Sequence, residues 1–383
     1  MERCLKVRLQ TSIDFVKADV DKHKLVISSE RPLEVLSSAV HNGGFRKANK
    51  IISIHVPEDN DENCSRKMDD FDKELHENPE NILKRALVKL GIDPDTVVGI
   101  MTHADVRNVD VSHQRHQDIT LSAFVTAGVE VAATAGELTI SKPNSSKIDP
   151  VGTINVILLV DGNLTESCMV DAVKTVIEAK TVALRELDIR SYFSGDLASG
   201  TVTDSVVVAC TKRGAPLKYA GTATVLGELI GKSVKDSLKK TLYNEQQVVA
   251  DRCLTERLKE RKISLENAMN LFLAAYPELA ENFEQFKDEV QHALSNPKIV
   301  PLVIAGFRID DDVKVGLIPR SMFDKSMIIE NFQTSVVDCL CNKNQAENLK
   351  LEGTSLAAVD NLGTFVGSIL AAIMSCVYSN TSS

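Results

Sequence analysis

Two stretches decide the fold of this chain: Gly152-Thr153-Ile154-Asn155 running into the apolar Val156 to Val160, and Gly200-Thr201-Val202-Thr203-Asp204 running into Ser205-Val206-Val207-Val208-Ala209. Each is a near-continuous apolar run bounded by small and polar residues, the pattern of a strand buried on both faces. Between them, Cys168 to Leu187 has helical periodicity. Strand, crossover helix and parallel strand form an α/β unit. The helix's apolar stripe reads Val173, Ile177, Leu184, Leu187, and Lys180 fills the gap in it. A lysine there snorkels or pairs with an acid. Asp204 is the acid at the mouth of the second strand, and Asn155 interrupts the first. Two readings follow: a structural Lys180–Asp204 pair, or a polar site where strand ends meet the helix, as open α/β sheets favour.

The 383 residues suffice for two ordinary domains, and a hydrophobic content of 43% supports sizeable cores. Aromatic residues make up only 4%, tryptophan is absent and the net charge is −9. That combination argues against a nucleic-acid partner. Much of the charge is local: residues 57–80 carry ten acids and three bases, which reads as a solvated insertion. The eight cysteines (Cys4, Cys64, Cys168, Cys210, Cys253, Cys339, Cys341 and Cys376) lack a paired framework, and Cys339-x-Cys341 has no second pair to make a zinc site. No leader pattern opens the sequence, so the expected location is cytoplasmic. Residues 362–378 form an apolar helix too short for an ordinary membrane span and read as a core helix.

Strand patterns appear at Lys24 to Ser28, at Val35 to Val40 before the turn Asn42-Gly43-Gly44, at Ile51 to Val56, at Val97 to Met101 before Thr102, and at Phe124 to Ala127. Residues 80–91 read as helix, and so does Val225 to about Val234. Beyond residue 248 the pattern turns helical and charged. The expected architecture is therefore an α/β domain with a mixed buried sheet and crossover helices over 1–248, and an all-α domain over 249–383.

Residues 24 to about 235 resemble the adenosylcobinamide amidohydrolases. The segments that carry the resemblance are Leu36 to Val40 with Asn42-Gly43-Gly44, Val98 to Thr102, Thr126-Ala127-Gly128, Gly152 to Asn155, Glu178 to Thr181, Gly200 to Asp204, and Gly221-Thr222 with Gly227 to Gly231. The resemblance implies hydrolysis of the amide that joins an aminopropanol arm to the corrin ring. Where the family pattern has a histidine, this chain has Ala223.

Amide hydrolysis needs an activated water or nucleophile, a donor for the oxyanion and an acid for the departing amine. No HExxH or GxSxG motif is present. The polar groups expected to do the work are Asp204 or Glu178 handling protons, Lys180 stabilising negative charge, and Asn155 with Asn42 and the Gly43-Gly44 backbone donating hydrogen bonds. Thr126 completes the catalytic candidates. Ser38, Thr102, Thr153, Thr201, Thr203 and Thr222 are candidate substrate contacts. Glu178 lies about 200° around the helix from Lys180, which argues against a shared site.

Residues 255–380 resemble a helical family that includes phosphatidylglycerophosphatase A and the α-ribazole phosphatases. The carrying residues are Ile263 to Glu266, Ala274 to Pro277, Val303 to Gly306, and above all Asp360-Asn361-Leu362-Gly363-Thr364 running to Ala372. That resemblance implies phosphomonoester hydrolysis with Mg²⁺ held by Asp360 and Glu330; the triple acid Asp310-Asp311-Asp312 reads as a solvated turn. Together the two halves suggest a bifunctional hydrolase of cobalamin salvage. It would act on a corrinoid amide without a cofactor and on α-ribazole 5′-phosphate. The alternatives are a corrinoid-binding protein with degenerate catalytic residues, and an amidohydrolase whose C-terminal helices only support structure or oligomerisation.

Overall fold

The computed structural model describes residues 6–56, 77–137, 152–319, 327–341 and 364–381, and the chain divides into two units, Met1–Ala250 and Asp251–Ser383. The first unit runs β1 (Val7–Leu9), β2 (Val16–Val20), β3 (Lys24–Ser37), β4 (Gly44–His55), α1 (Pro79–Lys89), β5 (Val97–Thr102), β6 (Asp110–His116), β7 (Ile119–Ala127), β8 (Ala132–Ala133), β9 (Ile154–Asp161), β10 (Asn163–Leu164), α2 (Glu166–Glu186), β11 (Gly200–Thr201), β12 (Ser205–Cys210), β13 (Pro216–Leu217) and α3 (Val225–Gln246). The main sheet has the order β1-β2-β3-β12-β9-β7-β6, with β4 pairing β3 and β5. The expected crossover is present: β9 and β12 are parallel, with Asn155 opposite Ser205, and α2 joins them. A second parallel pair, β4 and β5, has α1 between its strands.

One long strand lies where the sequence suggested two. The first half of β3 pairs with β2, its second half with β12, and β4 follows it throughout. The register slips between Ser28 and Leu33, a bulge that takes up Pro32 and bends the strand. β6 was not foreseen, because its sequence DVSHQRH is half-exposed and polar and pairs only with β7. α3 extends well past Val234, to Gln246.

β9 and β12 are buried on both faces. Val156, Leu158, Val160, Val206, Val208 and Cys210 pack under α2 and α3, while Ile157, Leu159, Val207 and Ala209 pack on the inner side of the curled sheet with Val35, Ile51, Ile100 and Phe124. The curl brings β5 to the start of β9. Among the described residues β5 has a strand neighbour on one side only. Its other edge is met by a loop and by side chains. Asn42 Nδ2 donates to Val97 O at 2.8 Å; His41 N donates to Gly99 O and Gly99 N to His41 O, both at 3.0 Å; Asn155 Nδ2 donates to Met101 O at 2.8 Å. Gly99 lets this loop approach closely: a Cβ there would lie 2.4 Å from Leu83 Cδ2 and 3.3 Å from His41 Cβ, so Leu83 would have to shift.

The second unit holds α4 (Leu254–Glu260), α5 (Leu265–Ala275), α6 (Phe283–Leu294), α7 (Val300–Lys314), α8 (Met327–Leu340) and α9 (Phe365–Thr381). α9 is buried on nearly every side from Phe365 to Val377, as a helix apolar all round should be. Among the described residues no helix is long and apolar enough to cross a membrane. Gly306 of α7 permits the close approach of α9; a Cβ there would meet Ile369 at 2.9 Å. The triple acid is no solvated turn: it belongs to α7. Its first member, Asp310, caps α9 by accepting from Phe365 N at 2.6 Å and Val366 N at 3.0 Å. Burial pushes the Asp310 carboxyl above its ordinary range, despite those two amides.

Two outcomes follow. Asn42 sits at φ 56°, where asparagine is tolerated and alanine strained, and both its amide hydrogens are used. Asn42→Ala should destabilise the first unit by about 2 kcal/mol, read by urea unfolding. Asp310, raised on folding, contributes stability that is full below its unfolded value near 3.8 and is lost as pH rises through the folded value. Asp310→Asn should flatten that fall relative to the parent chain when unfolding is followed from about pH 3.5 to about pH 6.

Candidate functional site

α2 starts at Thr165, whose hydroxyl accepts from Cys168 N at 3.2 Å. Its buried stripe is Cys168, Met169, Ala172, Thr175, Val176, Ala179, Lys180, Ala183 and Leu184. Ile177 is not in it: 39% exposed, it faces outward one position past the stripe's true centre at Val176. Lys180 is, and only 6% of it is exposed. Its ammonium donates to Asp204 Oδ2 at 2.5 Å. Asp204 also accepts from Thr201 N at 3.0 Å, Thr201 Oγ1 at 2.5 Å and Ile154 N at 3.0 Å. Four donors thus surround this carboxylate, and it ties the start of β9 to the turn before β12. Gly200 leaves room for the pair; a Cβ there would fall 2.4 Å from Asp204 Oδ2 and 2.6 Å from Lys180 Nζ. This crowding gives Asp204 an anchoring geometry, rather than the open lone pair of a general base. Glu178 is exposed, away from Lys180.

Asn155 belongs to the other face of the sheet. It shares the side of Ile157 and Leu159 that looks into the curled sheet, opposite the face under α2. The two strand ends and Lys180 therefore do not converge on one cleft as expected: the side-chain period of two places Asn155 and Asp204 on opposite faces. Thr126, Asn155 and Ser205 form a lateral polar row on the inner face, since Thr126 is directly opposite Asn155 and Asn155 opposite Ser205. All three are buried. The apolar row below them is Phe124, Ile157 and Val207. Toward the rim, the Thr153 and Thr203 hydroxyls share a hydrogen bond at 2.7 Å, with Thr203 exposed. Polarity thus rises from the core to an accessible rim, the composition of a ligand mouth at the end of a barrel-like sheet.

Within this row Asn155 Oδ1 and Thr126 Oγ1 are buried with no hydrogen-bond partner among the described residues, as are Ser37 Oγ and Ser53 Oγ elsewhere in this unit. Such atoms are rare in folded chains and point to a ligand or a water. The expectation that Asn155 donates to an oxyanion changes accordingly, because its amide nitrogen is committed to Met101 O and its open atom is an acceptor. Asn42 is likewise spent on Pro94 O and Val97 O. Gly43 approaches the chain so closely that a Cβ would sit 2.4 Å from Ala39 O, and Gly44 has φ +83°, so both shape the turn. Ser38 Oγ accepts from Val206 N, Thr102 Oγ1 accepts from Ala104 N, and Thr222 is exposed in the turn before α3. The side chain of Glu330 and all of Asp360 lie outside the described residues. Among the described residues no three His, Cys, Asp or Glu side chains gather where they could hold a metal.

Sequence reasoning missed His41, Ser205 and Glu130. His41 is buried with Nε2 2.8 Å from Pro94 O. The Glu130 carboxylate lies against Gly128 and Gly152, where Cβ atoms would fall 2.9 and 2.6 Å from it. Ser205 was legible only as the register partner of Asn155. The thiols beneath α2 are poor nucleophile candidates, because burial pushes Cys168 up to about 11 and raises Cys210.

Residues 7–250 match the family model described as adenosylcobinamide amidohydrolase. An uncharacterised protein of Methanocaldococcus jannaschii is 33% identical over 178 residues, 43% of this chain and 69% of the relative. An adenosylcobinamide amidohydrolase of Methanosarcina mazei is 30% identical over 174 residues, 43% of this chain and 74% of the relative. Another from Halobacterium salinarum is 29% identical over 135 residues, 32% of this chain and 54% of its own. A Pyrococcus horikoshii crystal structure covers 62% of this chain and 82% of that chain at 11% identity, but its TM-score of 0.29 carries no fold argument. With well over half its length matched in one continuous span, the chain belongs to the adenosylcobinamide amidohydrolase family.

Proposed function

We propose that the first unit hydrolyses the amide joining aminopropanol to the corrin ring of (adenosyl)cobinamide. Water adds to the amide carbon, the C–N bond breaks, and (adenosyl)cobyric acid and aminopropanol leave. The observation that carries this reading is the family match over residues 7–250. The polar mouth at the starts of β9 and β12 supports it, since the segments that resemble the family (Gly152 to Asn155, Gly200 to Asp204, Thr126 to Gly128) meet there. In this reading Lys180 offsets the negative charge that develops on the amide oxygen, and Asp204 holds the ammonium in place. The exposed hydroxyl of Thr203 at the rim, held by the buried Thr153, supplies a neutral donor or acceptor for the substrate.

Cobinamide incubated with the full chain should release cobyric acid, followed by chromatography of the corrinoid. Lys180→Met should lower kcat by about a hundredfold, with a stability loss of about 3 kcal/mol because it leaves the Asp204 carboxylate without its ammonium. Asp204→Asn should also lower activity, together with a stability loss of about 3 kcal/mol, because it breaks one half of a buried pair. Binding without turnover in the parent chain would support the degenerate, corrinoid-binding alternative instead.

For the helical unit we propose phosphomonoester hydrolysis on α-ribazole 5′-phosphate. Support comes from the resemblance of residues 255–380, strongest from Asp360 into the helix that becomes α9. The described residues assemble no metal cluster, so no step is drawn through Mg²⁺. Phosphate release from α-ribazole 5′-phosphate, measured with Mg²⁺ and with chelator, checks the activity, and Asp360→Ala should abolish it. No release under either condition favours a structural role for these helices.

A further inference from the structure

We infer that the Thr126–Asn155 pair is a subsite for a primary carboxamide of the ligand, separate from the bond that is cut; this rests on the corrinoid reading above. Two buried atoms, Thr126 Oγ1 and Asn155 Oδ1, have no hydrogen-bond partner among the described residues. Each residue is only 2% exposed. They are directly opposite across β7 and β9 on one face of the sheet, so their side chains lie about 5 Å apart at Cβ.

The hydrogen-bonding character of the open asparagine atom is fixed. Met101 O can only accept, so the Asn155 atom facing it at 2.8 Å is the nitrogen, and the open atom is the acceptor oxygen. The threonine hydroxyl can donate. The subsite therefore offers an acceptor beside a donor. A primary carboxamide carries the complement on one edge, its carbonyl oxygen beside the syn N–H. A secondary amide in the usual trans form puts its C=O and N–H on opposite edges and cannot satisfy both atoms together. A carboxylate offers two acceptors and would set one of them against Asn155 Oδ1.

Depth supports the same choice. A macrocycle cannot reach atoms this buried; the group that meets them has to be slender, as an acetamide or propionamide arm is. Corrinoids of the proposed substrate class carry such arms around the ring. The pair would thus read the amidated state of the rim and reject a ring whose matching arm is a free acid. Buried hydrogen-bonding groups left unpaired by the wrong ligand discriminate strongly.

The test compares cobinamide with its peripheral monocarboxylate isomers, in each of which one primary carboxamide has become a carboxylate. The parent chain should bind cobinamide at least about tenfold more tightly than one particular isomer. Thr126→Val and Asn155→Ser should reduce that preference to less than about threefold, with the loss of kcat/KM for cobinamide carried by KM. Thr126→Val leaves the Met101 contact in place, so a merely loosened sheet is distinguished from a lost subsite. An unchanged preference in both variants overturns the inference and leaves the two atoms to an internal water. If the parent chain neither binds nor cleaves cobinamide, the corrinoid reading fails, and free propionamide against propionate decides the subsite alone. Shifts of the Asn155 side-chain amide resonances with propionamide, absent with propionate and absent in Thr126→Val, support it. Equal responses to the two sink it.

Discussion

The first unit depends on how the outer edge of β5 is covered. A buried strand edge with unmet amides and carbonyls costs about as much per group as a lost hydrogen bond. Here no further strand among the described residues supplies the partners. One short loop and one strand side chain do: Asn42 on Val97, the His41 backbone on Gly99, Asn155 on Met101. The curl of the sheet follows from this. β3 hands its far edge from β2 to β12 at a bulge, which swings β12 and β9 round until Asn155 reaches Met101. The apolar interior from Ile27 to Ala209 is then enclosed between sheet walls rather than under a helix.

The Lys180–Asp204 pair is a second, local constraint. Burying two charges is costly and is offset here by geometry: two backbone amides and a threonine hydroxyl join the ammonium around one carboxylate. An apolar pair of similar volume would stabilise the helix–sheet contact as well. Stability alone therefore gives the charged pair no advantage at this position. Gly200 sharpens the point, because the turn gives up a side chain to make space for the pair.

Much of this was legible in the sequence, for identifiable reasons. The runs at 156–160 and 205–209 had to be strands because they are apolar at consecutive positions, and their parallel pairing followed from the helix between them. That Lys180 lies on the buried side of its helix was legible from helical period, while its pairing with Asp204 was one of two readings the sequence left open. Which face Asn155 takes was not, since that requires the register of β9 against β12 and β7, a non-local quantity. Asn42 looked like site chemistry for a similar reason: its partners, Pro94 and Val97, belong to a distant part of the chain. β6 escaped because a half-exposed strand beside a single neighbour carries little apolar signal. Asp310 read as a surface acid because nothing local shows that a later helix starts against it.

Asn155 connects the closure of the sheet to the chemistry at its mouth. Its nitrogen completes the edge of β5, and that contact alone fixes the direction of its oxygen. Fold and recognition therefore share one side chain. A ligand that hydrogen-bonds to the oxygen restrains the same amide that closes the sheet, so binding there stabilises the curled form by mass action. Placing the acceptor on a strand rather than a loop holds its direction with the precision of the β7–β9–β12 register, which suits discrimination between two small groups of similar shape. The rim residues carry no such double duty. Thr203 sits in the exposed turn that Asp204 pins from the helix side, leaving the mouth free to differ in outline while the pair beneath it stays fixed.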